Sequence, residues 1–348
     1  MFYPLRGWRI LKGGDTMENE KDVASEVATA EPENVAAVPD ETAESTGTTE
    51  ENPLAYRKRK RRLGDRREGR RLRTIQPVLQ LMPYVMPKRC DALNTFYDRL
   101  EVSRVDDLCR RKVREGKVHF SALHVLLAAY LRTISQRPGI NRFVSGQRIF
   151  ARNEIVFVMT VKKELALNAP ETLIKVKFNP ADTLDEVYEK FNATAQAAIA
   201  SMDHPTAFDN LCGGLSKLPG LLLRFLMWVL RVLDYIGHLP KAFLEVSPFH
   251  GSMIITSMGS LGIKPIYHHI YDFGNLPVFI SYGTKSVCYE YDRKGVLNRR
   301  KYMDIKVVTD ERICDGHYYA SAFKYYKKLI EHPDLLESRP DKIVEDID

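Results

Sequence analysis

Apolar positions along the chain fall into runs with two distinct periods. In FSALHVLLAAYLRTISQ (residues 120–136) they recur at i, i+3, i+4 and i+7, the spacing of one helical face. Ser121 precedes that helix as its N-cap, and Arg137-Pro138-Gly139 stops it. Residues 148–150 and 155–162 alternate or run apolar around a polar cluster at 151–154, which predicts a hairpin. Residues 172–178 alternate as a strand. Thr183, with Glu186 three positions on, forms a capping box for an amphipathic helix that reaches Ala200. Residues 252–258, 276–282 and 302–309 predict three more strands, and residues 317–330 a closing helix. Strands and helices mixed without regular alternation predict an α/β fold of the α+β layered kind.

PGLLLRFLMWVLRVLDYIGHLP (residues 219–240) is a different kind of helix. Pro219 suits its first position and Gly237 its C-cap. Arg224, Arg231 and Asp234 interrupt the apolar run, whose longest clean stretch is Phe225 to Leu230, whereas a membrane span needs about 20 apolar residues. No transmembrane segment is predicted. Lys217, Arg224, Arg231 and His238 recur every seven residues, so they share one face. An amphipathic helix of this type packs on a partner or lies on a membrane surface.

Charge divides what precedes the globular part. From Met17 to Tyr56 there are eleven acidic residues against one lysine, and from Arg57 to Arg73 eleven Lys/Arg against Asp65 and Glu68. Residues 1–56 buy no hydrophobic burial with which to offset ordering, so they are expected to be a disordered acidic segment. Residues 57–75 form a basic arm, expected to be solvated or partner-facing and neutralised by the acidic stretch before it, with a contact of residues 57–73 to an anionic partner (nucleic acid, an acidic lipid surface or an anionic cofactor) as the alternative. A globular domain is expected over 76–336, followed by a tail at 337–348. Lys12-Gly13-Gly14 is what a ribosome-binding sequence encodes when read through, and Met17 follows it; translation is expected to start at Met17. Codons other than AAA-GGA-GG at Lys12 to Gly14 would sink that expectation. Five cysteines without CxxC spacing argue against a disulfide framework and a zinc site, and fit reduced thiols in a cytoplasmic protein. No metal is expected.

Two motifs carry a resemblance. Asp310-Glu311-Arg312-Ile313-Cys314-Asp315-Gly316 is similar to the (His/Asp)-His-x-x-x-Asp-Gly that closes the catalytic domain of the dihydrolipoamide acyltransferases of 2-oxoacid dehydrogenase complexes. Gly251-Ser252-Met253-Ile254-Ile255-Thr256-Ser257-Met258-Gly259-Ser260-Leu261-Gly262-Ile263 resembles that family's G-T-F-T-I-S-N-L-G-M-F-G-I. The resemblance spans Gln76 to Leu336 and is strongest near its C-terminal end. It implies a two-layer sandwich of the chloramphenicol acetyltransferase kind with a mixed sheet. It also implies a homotrimer with sites between subunits, a coenzyme A thioester as acyl donor, and a small-molecule acceptor. No lipoyl attachment hairpin is present in the sequence.

The family histidine takes a proton from the attacking thiol or hydroxyl while a Ser or Thr steadies the oxyanion. Glu311 stands at the histidine position, and Thr256 keeps the hydroxyl. A carboxylate, with a reference pKa of about 4.3 against ~8.5 for a thiol, makes a base only in a desolvated setting. The alternatives are a surface ion pair of Glu311 with Arg312 or Lys306, and a base drawn from His268 or His269. Asp315 and Gly316 are expected to be structural, holding the turn and admitting a tight entry to the helix, with His317 at the surface. The same motifs also fit a catalytically degenerate trimer kept as a binding or scaffold module.

Overall fold

Strand order explains where the core lies. The computed structural model describes residues 59–162, 171–201 and 207–348, all within one compact unit, Glu51–Asp348. The acidic segment 1–56 and the start at Met17 lie outside the described residues. In chain order the elements are β1 (Gly69–Arg71), α1 (Pro77–Val85), β2 (Leu93–Glu101), α2 (Ser103–Arg114), α3 (Ala122–Gln136), β3 (Arg142–Ser145), β4 (Arg148–Arg152), β5 (Ile155–Lys162) and β6 (Glu171–Phe178). They continue as α4 (Leu184–Ala200), α5 (Ala207–Ser216), α6 (Gly220–Ile236), α7 (Lys241–Val246), β7 (Met253–Ser257), β8 (Val278–Tyr291), β9 (Leu297–Asp310) and α8 (Gly316–Glu331).

Six strands form a mixed sheet in the order β2-β9-β8-β7-β5-β6, parallel at β5–β7 and β7–β8 and antiparallel elsewhere. Side chains alternate across it. Phe157, Met253, Ile255, Val278, Ile280, Ile305 and Val307 face α3, α4 and α8 in the main core. Val158, Ile254, Phe279 and Val308 face the other way and gather with Ile270 and Leu276 into a smaller apolar cluster. The result is a two-layer α/β sandwich whose outer sheet face is covered by the irregular segment between β7 and β8.

Helix caps follow the expected chemistry. Ser121 and His124 form a reciprocal box at α3, with Ser121 N donating to His124 Nδ1 (3.0 Å). Thr183 and Glu186 do the same at α4. Gly237 ends α6 in the left-handed conformation (φ 75°), which glycine adopts at little cost; Pro219 is the N-cap, one position before the helix.

Three expectations are corrected. The strands at 148–152 and 155–162 do not pair: β4 joins β1 and β3 in a separate three-stranded sheet, while β5 enters the large one. The actual hairpin is β3–β4, turned by Gly146 and Gln147, both at positive φ (57° and 55°). The last two strands are longer than expected, because β8 and β9 extend past the core as a two-stranded arm. Gly316 has negative φ and open space around it, so nothing within the chain demands glycine there.

The basic arm has acidic partners inside the chain. Arg62 pairs with Asp348 (2.9 Å) and Arg59 with Glu345 (2.6 Å), while Arg70 and Arg73 bond Asp346, Ile347 and Asp348 largely through backbone. Arg142 and Asp346 add a buried ion pair (2.5 Å). A cavity of about 370 Å³ lies between arm and tail.

Candidate active site

The turn between β9 and α8 is built around Asp310. Its backbone N–H bonds the Pro277 carbonyl (2.9 Å), and the next N–H, of Glu311, bonds that of Ala92 (2.9 Å). The buried Asp310 carboxylate accepts from Arg312 Nε (2.8 Å) and Nη2 (2.7 Å) and from Arg89 Nε (3.3 Å). Tyr319 Oη donates to the Asp310 carbonyl (2.9 Å). Burial pulls the Arg89 pKa below its ordinary value, and the Asp310 charge works against that pull. Such a pair holds because every charge has a partner.

Arg89 reaches further. Its Nη1 donates to the Tyr271 carbonyl (2.9 Å) and its Nη2 to that of Gly274 (2.6 Å). Gly274 sits at φ 94°, where a Cβ would come within 2.2 Å of the Phe249 carbonyl oxygen. One guanidinium therefore ties the motif turn to the segment carrying Tyr267, His268 and His269.

Glu311 is the exception within this turn. Arg312 is committed to Asp310, and Lys306 lies over the Tyr267 ring (4.5 Å). Neither forms the ion pair considered for Glu311. No hydrogen bond or ion pair among the described residues engages its half-buried carboxylate. Asp315 caps α8, its Oδ1 accepting from Tyr318 N (2.7 Å), a structural task. His317 is exposed in the first turn of α8.

Thr256 lies on β7, half-buried, on the outer face with Ile254 and opposite Ser281. From that level to Glu311 the register runs five residues along and two strands across, roughly 20 Å. Within one chain the two do not meet. His268 lies between their levels, stacked on Phe279 (4.2 Å, interplanar 6°), with Nδ1 3.0 Å from the His269 carbonyl. His269 is exposed and edge-on to Tyr271 (4.9 Å). The outer face thus carries Thr256 and His268, with Glu311 beyond its end.

Sequence reading missed Arg89, a lone arginine 221 positions from Asp310 with no motif around it. It also missed that Ser247, His250 and Asp234 come together. His250 Nδ1 lies 2.8 Å from Ser247 Oγ, and Nε2 3.8 Å from Asp234. Ser247 and His250 are buried and Ser247 Oγ also accepts from Phe249 N (3.4 Å), so this group locks a turn rather than meeting substrate. No group of metal-ligating side chains is assembled among the described residues.

No protein-family model and no curated protein matches the chain. Solved structures do. A probable dihydrolipoamide acetyltransferase from Listeria monocytogenes is 12% identical, with 75% of this chain and 94% of that one covered at a TM-score of 0.48. A truncated catalytic core of the 2-oxoacid dehydrogenase multienzyme complex from Thermoplasma acidophilum is 15% identical, covering 76% and 99% at 0.44. A chloramphenicol acetyltransferase is 12% identical, covering 71% and 92% at 0.43. The likeness is one of fold.

Proposed function

We propose that this chain is an acyltransferase that moves an acyl group from a coenzyme A thioester to a thiol or hydroxyl acceptor, at a site shared between subunits of a homotrimer. The observation that supports this reading is Glu311: an unpaired, half-buried carboxylate on a turn whose other charged side chains are tied down. In the proposed reaction the acceptor attacks the thioester carbonyl while Glu311 takes its proton. The carbonyl oxygen becomes an oxyanion, to which Thr256 Oγ1 of another subunit donates. Collapse of the tetrahedral intermediate breaks the C–S bond, and the coenzyme A thiolate leaves with the proton returned by Glu311. The roughly 20 Å between Glu311 and Thr256 within a chain is why two copies are required. His268 or His269 is the base if Glu311 is not.

A second reading has its own support. Glu311 has no partner to orient it, whereas a working general base is ordinarily held by a third group. A trimer that binds the thioester without turning it over fits that feature. Calorimetric titration with acyl-coenzyme A, followed by assay of released thiol across a panel of acceptors, separates the readings. Binding with turnover that Glu311→Gln abolishes supports the first, and binding without turnover the second. Absence of binding overturns both.

A further inference from the structure

Helix α6 meets the body at its C-terminal end. Arg66 donates to the carbonyls of Tyr235 and Ile236, and Ser145 Oγ to that of Asp234 (2.9 Å). No residue of the helix is buried. Leu221, Phe225, Trp228 and Val232 recur at helical spacing on one side; Leu221 is 84% exposed, and Phe225 and Trp228 are each 59%. Exposed Arg224 and Arg231 flank that side. The one acidic residue of the helix, Asp234, is drawn back toward buried His250.

This surface continues onto α1. The Tyr235 hydroxyl lies 3.0 Å from Gln147 Oε1, and Gln147 Nε2 donates to the Pro83 carbonyl of α1 (3.5 Å). Val78, Leu81, Tyr84 and Val85 of α1 are also exposed, with Arg71 and Arg148 beside Tyr84 and Gln147. Apolar side chains on two adjoining helices, bordered by arginines, exceed the scattered exposure normal for a soluble surface. A second copy of the same face would bring arginine against arginine. A negatively charged leaflet offers the complement: apolar side chains enter the acyl boundary while the arginines stay among the headgroups. No helix among the described residues is long and apolar enough to cross a membrane, so α6 fits a surface-lying arrangement.

We propose that the α1–α6 face docks on an anionic membrane surface, with Phe225 and Trp228 inserted and Arg224 and Arg231 in the headgroup layer. This is independent of the acyl-transfer reading. The chain has two tryptophans, so Trp8→Phe in the full chain leaves Trp228 as the reporter. With phosphatidylcholine vesicles containing phosphatidylglycerol, the protein is expected to co-sediment and the Trp228 emission to move to the blue. Phosphatidylcholine alone should bind it less. Arg224→Gln and Arg231→Gln should each weaken binding to the anionic vesicles about fivefold. Phe225→Ala with Trp228→Ala should remove sedimentation while the circular dichroism stays unchanged. Failure of the unsubstituted chain to sediment with anionic vesicles overturns the proposal, as does binding that survives the Phe225 and Trp228 substitutions. A lipid-free blue shift that grows with protein concentration assigns the face to a second copy and overturns it too.

Discussion

Asp310 sits between two arginines whose side chains are 4% exposed. Removing the shared acid leaves two buried cations facing each other, a change that costs about 3–5 kcal/mol. Asp310→Asn is expected to lose roughly that much in urea unfolding. The neighbouring Glu311→Gln is expected to change stability by only about 0.5 kcal/mol, because no intrachain partner is lost. If the proposed reaction holds, it should lower acyl transfer by about 10²–10⁴-fold. Equal turnover in Glu311→Gln and unsubstituted protein would return the search for a base to His268 and His269. Two other histidines bear on pH. Burial holds the pKa values of His124 and His250 below the ordinary one, opposed at His124 by its hydrogen bond with Asn192 and at His250 by the Asp234 carboxylate 3.8 Å away. Below about pH 6.5 the unfolded chain takes a proton on each while the folded chain stays neutral. The unfolded state then binds more protons, so stability rises with pH across this window. Their contribution is complete above pH ~6.5 and is lost on acidification toward the folded pKa values. His250→Gln is expected to flatten that acid limb in urea titrations repeated at successive pH; an unaltered slope would assign the limb to other groups.

At the scale of elements, legibility followed burial. α3, α4 and α8 each turn one apolar face to the core, and their periods mark them in the sequence. β6 and β7 alternate for the same reason. Beyond Tyr282 the β8–β9 arm leaves the core; Val287, Tyr289, Tyr291 and Leu297 are exposed there, so nothing enforces an in-and-out pattern. β2 also escaped notice, as an edge strand with few fully buried residues. The hairpin placed at 151–154 is absent because the polar residues there mark a bend at which the chain passes from one sheet to the other, so the flanking strands do not pair. The closing motif could be recognised because Asp315 and the strand before it are local, whereas Arg89 reaches Asp310 through tertiary structure alone. Caps were legible for that reason as well. Thr183→Ala is expected to cost about 1 kcal/mol by removing one side of the α4 box, measured by urea unfolding.

For the whole molecule, the separation of Glu311 from Thr256 makes the proposed acyl transfer depend on assembly. Light scattering at micromolar concentration is expected to give three times the chain mass of 39.9 kDa; a monomer would remove the shared site. Sheet order also carries a consequence for biogenesis. β2 hydrogen-bonds to β9 along nine residue pairs and is otherwise the sheet's edge. Roughly two hundred residues separate the two strands, so at about 5–20 residues per second a nascent β2 waits ~10–40 s for its partner. Over that interval an aromatic, half-apolar strand has no native mate, and the core beneath it cannot close. Proteolysis of stalled ribosome complexes should cut within residues 93–101 until residue 310 has cleared the exit tunnel, and spare them afterwards.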